Sequence, residues 1–145
     1  MLGSLPTGML PEFAVASAAQ GDSDSETVRK LKIASMQHDL ILLLLENRDF
    51  EKVESEWRKV LDLELSEKYE GAVAQSLLTI SYKLSEAGVL SVALAILDES
   101  LSIVPFSNRS RADLLKLKAY IYKEAGDLDA AIDTLRQASE LAEMP

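Results

Sequence analysis

The segment KEAGDLDAAIDTL (residues 123–135) is a stop followed at once by a start. Helix-period residues run to about Glu124, the stretch EAGDL (124–128) breaks them, and the period resumes from Leu128. The same event occurs earlier, where EAGVL (86–90) separates two helix-period stretches around Gly88. Connections this short fold consecutive helices back as antiparallel neighbours. No strand alternation stands out, and neither Asn-Gly nor Asp-Gly hairpin turns occur. Proline is absent from residues 12–104, which permits long helices.

Working outward from these two breaks predicts six helices, at about 24–46, 50–64, 68–86, 90–103, 110–124 and 128–142, and hence an all-α fold. Pro105 ends the fourth helix. Ser23 with Glu26, and Ser110 with Asp113, have the spacing of capping pairs and are predicted to start the first and fifth. Residues 1–22 carry Gly, Pro and Ser without a sustained period and are read as an arm, flexible or docked. The triplet ASA (16–18) resembles a small-residue cleavage site. Yet no basic residue precedes Arg29, and Pro6, Pro11 and Glu12 interrupt the apolar part, which is unlike an intact signal peptide.

The 145 residues suffice for one domain with a real core. A net charge of −9 argues against non-specific nucleic-acid binding, which needs phosphates neutralised by Lys and Arg. The chain contains no cysteine, so it has no disulfide framework and no thiolate chemistry, and the redox compartment stays open. LILLLL (40–45) lies between Gln37-His38-Asp39 and Glu46-Asn47-Arg48. It is far shorter than the roughly 20 apolar residues of a helical span, so direct membrane insertion is not expected.

Self-comparison reveals a repeat. Residues 112–145 contain Tyr122, the turn and helix start GDLDAAI, Ala131, Leu135 and Ala138. Residues 74–107 align on Gly88 and supply Leu84, Ala93, Leu97, Leu101 and Pro105. Residues 34–67 align with Arg48 in the glycine's place and supply Leu44, Phe50, Val53, Trp57, Val60 and Leu61. On these residues, 34–145 resembles the tetratricopeptide repeat (TPR) family. The turn positions lie 40 and then 38 residues apart, so extra residues enter between hairpins. Val53 replaces a small residue, and Lys118 stands where a large apolar one is usual.

The resemblance implies three helix hairpins, at about 24–66, 68–107 and 110–145, stacked into a right-handed superhelix. Ala93 and Ala131 would sit where helices cross closely. Leu84, Tyr122, Leu97 and Leu135 would fill the space between hairpins, with Trp57 in the same slot as a core residue. Charge is consistent with that order: residues 71–107 hold four charged groups and 26–70 hold nineteen, as expected if the middle hairpin is shielded.

Residues able to carry chemistry are few. His38 is the sole histidine, and the adjacent Asp39 lies on another helix face. There is no Ser–His–acid arrangement close in sequence, no phosphate loop of the usual spacing and no close metal-ligand pattern, so neither catalysis, a metal nor a cofactor is expected. The basic clusters Arg29, Lys30, Lys32 and Arg109, Arg111, Lys116, Lys118, Lys123 read as helix faces or as a patch for an acidic peptide. In TPR proteins the first helix of each hairpin lines a concave groove for a partner segment. The resemblance therefore implies a protein-interaction or scaffold module whose groove is lined by Ser35, His38, Leu42 and Leu45, then Gln75, Leu78, Tyr82 and Ser85, then Asp113, Lys116, Tyr120 and Lys123. Only Lys116 matches the set that clamps a terminal carboxylate in chaperone-binding members. In this register Leu40, Ile41, Leu43 and Leu44 belong to the core. The alternative is a structural or oligomerisation domain of a larger protein, its groove filled by its own arm.

Overall fold

The computed structural model describes Phe13 and residues 25–144. Six α-helices occupy the described chain: α1 (Ser25–Glu46), α2 (Val53–Leu61), α3 (Glu70–Glu86), α4 (Leu90–Ile103), α5 (Asn108–Glu124) and α6 (Leu128–Ala142). Short 3-10 turns at Phe50–Lys52 and Glu67–Tyr69 lead into α2 and α3, and there is no strand among the described residues. The protein is all-α, and every helix lies within a few residues of its predicted place. None of the described helices is long and apolar enough to cross a membrane.

Each hairpin turns through one left-handed residue: Arg48 (φ 59°), Gly88 (φ 81°) and Gly126 (φ 85°). The same two hydrogen bonds close all three turns. Asp49, Val89 and Asp127 donate their N–H to the carbonyls of Leu44, Leu84 and Tyr122, each at 2.9 Å. Arg48, Gly88 and Gly126 donate to Leu45, Ser85 and Lys123 at 3.2, 3.0 and 3.0 Å. This is the Schellman pattern, which satisfies carbonyls a helix end would leave unpaired and favours glycine at the left-handed position. Arg48 tolerates it with its guanidinium 5.0 Å from the centre of the Phe50 ring, a cation–π contact.

Helix starts differ from the expected caps. Ser23 lies outside the described residues, and Glu26 holds Arg29 at 2.8 Å. The fifth helix starts two residues early. Ser107, not Ser110, is its cap, accepting from the Ser110 N–H at 3.2 Å. The Ser107 N–H in turn donates to Glu70 at 2.9 Å, fastening the connector to the start of α3.

The helices pair as α1–α2, α3–α4 and α5–α6; α3 also packs on α1 and α5, and α4 on α2 and α5. The middle hairpin is therefore covered from both sides, as its low charge suggested. Its Leu77, Ile80, Leu84, Ala93, Ile96 and Leu97 are fully buried. Two buried hydrogen bonds tie the first hairpin to the second. His38 Nδ1 and Ser76 Oγ share one at 2.6 Å between α1 and α3. Trp57 Nε1 donates to Ser100 Oγ at 2.8 Å between α2 and α4, and Ser100 passes its own hydrogen to the Ile96 carbonyl at 2.6 Å. Within the first hairpin, Gln37 Nε2 donates to the carbonyl and carboxylate of Glu56 at 2.9 and 2.5 Å. That bond, with Lys59 beside it, holds the Glu56 carboxyl below the ordinary range.

Lys118 explains its own departure from an apolar position. Its ammonium reaches Asp98 of α4 at 2.7 Å and lies 5.6 Å from the centre of the Tyr122 ring, so an ion pair replaces apolar contact at that junction. The connectors carry aromatic plugs that the sequence reading did not single out: Tyr69 and Phe106 are both buried. Phe13 is buried as well and joins the main core, so this part of the arm is docked. Ser81 is buried with no hydrogen-bond partner for its hydroxyl among the described residues. It aligns with Ala119 and Ile41, both buried, so the position is a core one in all three hairpins.

A β-carbon on Gly126 would meet open space, so backbone conformation alone sets the cost of substitution there. Gly126→Ala is expected to destabilise the protein by about 1–2 kcal/mol, the usual penalty for a side chain in the left-handed region. Urea denaturation measures it, and a loss below about 0.3 kcal/mol would contradict the turn assignment.

Candidate partner-binding site

The first helices of the three hairpins, α1, α3 and α5, form one layer of the stack, with α3 packed between the other two. The outward face of that layer is where a groove is expected. On α3 it presents Gln75 and Tyr82 in the open, with Leu78 partly buried between them and Ser85 partly buried one turn beyond Tyr82. On α5 it presents Asp113, Lys116, Tyr120 and Lys123, all exposed. Tyr82 and Tyr120 occupy equivalent positions 38 residues apart and are 48% and 43% exposed. Each ring has an apolar body and a polar tip, suited to a wetted recognition surface.

The first hairpin departs from expectation. Ser35, His38 and Leu45 are buried, and Leu42 is partly buried. The reason is that α3 covers this face of α1. The inward face of α1 carries Leu31, Ala34, Ser35, His38, Ile41 and Leu45, with His38 turned to Ser76 on α3. Leu42 and Leu45 line a shallow open depression with Phe50, Lys83, Glu86 and Ala87. His38 and Leu45 therefore do not belong to an exposed surface. Conversely Leu40 and Leu43, expected in the core, are exposed, while Ile41 is fully buried and Leu44 partly so. The groove-facing surface reduces to α3 and α5.

Charge on this surface comes from Lys116 and Lys123, with Asp113 at one end. The other basic residues of that stretch are partly engaged elsewhere. Arg111 donates to the Leu101 carbonyl at 3.1 Å, and Lys118 pairs with Asp98. Arg29 of the earlier basic cluster is held by Glu26, which raises its pKa through a hydrogen bond and charge. Asp39, beside His38 in sequence, has its carboxyl pushed up by partial burial. No group of three or more His, Cys, Asp or Glu able to hold a metal ion occurs among the described residues.

No family model, curated protein or solved structure matches the chain. Its own internal equivalences are therefore the comparison that orders these residues.

Burial separates the two sets of residues energetically. Tyr82→Ala and Tyr120→Ala should each change stability by no more than about 0.5 kcal/mol, as for surface substitutions away from special features. Leu45→Ala should cost about 2–5 kcal/mol, as for core leucines. Thermal and urea melts of the three variants distinguish them; a tyrosine variant as damaging as Leu45→Ala would place that ring in the core.

Proposed function

We propose that this protein is a non-catalytic, TPR-like adaptor that receives a partner peptide or helix across α3 and α5. The observation that carries the reading is the pair of exposed tyrosines, Tyr82 and Tyr120, at equivalent positions on adjacent packed helices. An open apolar ring is costly to leave in water, and two in register supply regularly spaced anchors. Leu78 and Ser85 lie between and beside them on α3, and Lys116 and Lys123 flank Tyr120. The chemistry fits a segment with two apolar anchors and an acidic residue near the second. Lys116 and Lys123 would steer it electrostatically, and more weakly as salt rises. His38 and Leu45 serve the inner junction in this reading, with Leu42 at its open edge.

A second reading has its own support. Phe13 is buried in the core, so the arm reaches the body of the protein. An arm filling the groove would make this a structural domain closed by its own N-terminus.

Panning a random-peptide display library on immobilised full chain tests the first reading. The expected result is enrichment of peptides pairing aromatic or aliphatic residues with Asp or Glu. Their binding should fall at least tenfold on a Tyr82→Ala/Tyr120→Ala double variant that melts like the wild type. Peptides that bind the double variant equally well would contradict the site. Enrichment seen only after residues 1–22 are removed would favour the second reading.

A further inference from the structure

Among the described residues, six of the ten exposed large hydrophobic ones lie on two helix stripes, away from the groove tyrosines: Met36, Leu40 and Leu43 on α1, and Leu128, Ile132 and Leu135 on α6. Each set has the spacing i, i+4, i+7 and so forms a single stripe along its helix. One stripe is on the first described helix of the stack, the other on the last.

The repeat shows what each stripe is built to meet. Trp57, Leu97 and Leu135 are equivalent, and the first two are 0% exposed while Leu135 is 51% exposed. Trp57 is covered because α2 packs on α4, and Leu97 because α4 packs on α5. Phe50 and Leu90, equivalent to Leu128, are packed against the core, as is Leu94, equivalent to Ile132. The α6 stripe is thus the face that receives the next hairpin in the second repeat, and in part in the first, where Glu54 stands at the position of Ile132.

The α1 stripe is the converse. Met36 aligns with Ser76 and Leu114, and both of those are fully buried. Leu40 aligns with Ile80, which is fully buried, and with Lys118, which reaches Asp98 on the preceding hairpin. Ser76 is itself bonded to His38 of the preceding hairpin. Met36 and Leu40 thus stand where the later hairpins receive the hairpin before, while Leu43 aligns with the buried Ile121 and the exposed Lys83. The two open stripes therefore correspond to the two halves of the α4–α5 junction, where a second helix packs on the first helix that follows it; at the other junction α2 packs on α4 and α1 on α3.

Charge at the margins agrees. Lys32, exposed, extends the α1 stripe toward the start of the helix, with the Arg29–Glu26 ion pair one turn further on. Asp129 and Glu143 border the α6 stripe, also exposed. Basic and acidic margins favour pairing of unlike stripes over like ones.

We infer that a second copy of this chain docks head to tail, the α6 stripe of one copy meeting the α1 stripe of the next. The contact is heterologous, since different surfaces meet. It leaves one stripe of each kind free at the ends, so association continues by addition unless a ring closes. The groove tyrosines take no part, and the assembly would display one groove per copy.

Sedimentation velocity of the full chain over a concentration series, with two double variants, tests this. Leu40→Glu/Leu43→Glu closes the α1 stripe, and Ile132→Glu/Leu135→Glu closes the α6 stripe. All four residues are exposed, and circular dichroism melts check that both variants stay folded. The expected result is association of the wild type that grows with concentration, each variant alone monomeric, and an equimolar mixture of the two forming a one-to-one pair and nothing larger. That pair forms because each variant keeps the stripe that the other needs. A wild type that stays monomeric throughout would overturn the inference. So would either variant associating alone, which would show like stripes pairing, or a mixture of folded variants that remains monomeric.

Discussion

A helix hairpin has two broad faces, and its own two helices cannot cover both. Everything else in this protein follows from that constraint: each hairpin depends on a neighbour to remove apolar surface from water. The middle hairpin has a neighbour on either side and is the least charged and most completely buried part of the chain. The outer hairpins have one neighbour each within the described residues. Their far faces keep apolar stripes whose equivalents inside the stack are covered. The gradient from Trp57 and Leu97 to Leu135 is one repeated position seen in covered and uncovered surroundings.

Apolar burial alone would let hairpins slide along one another. The two buried polar bonds, His38 with Ser76 and Trp57 with Ser100, fix the register of the first junction. A shift of one turn would strand a buried donor or acceptor, which costs about 1–3 kcal/mol. The second junction uses partly exposed groups instead, the Lys118–Asp98 ion pair and the Arg111 bond to the Leu101 carbonyl. Such groups contribute less to stability and more to alignment.

Helix number and bounds were legible because punctuation is local. Gly88, Gly126 and Pro105 act on their own neighbours, and even Arg48 was placed correctly as a turn residue from its alignment with two glycines. Which face of α1 is buried was not legible. In LILLLL every face is apolar, so hydrophobic period carries no phase. The residues that set the phase, Ser35 and His38, are polar and read as surface. Their burial depends on Ser76, 38 residues away from His38, which no local pattern reports. The α5 cap was misplaced for a smaller reason: two serines compete for the role, and the bond from the Ser107 N–H to Glu70 settles it at long range. On α3 and α5 the TPR resemblance placed Tyr82 and Tyr120 on the groove surface, and both are exposed.

Native-state amide hydrogen exchange, at a concentration where the chain is monomeric, tests most directly whether the stack is held by its junctions. Local opening should follow the number of covered faces. The account predicts the slowest exchange in α3 and α4, around Leu77–Leu84 and Ala93–Leu97, and markedly faster exchange along α6. Protection of α6 equal to that of α4, or α3 opening first, would contradict it.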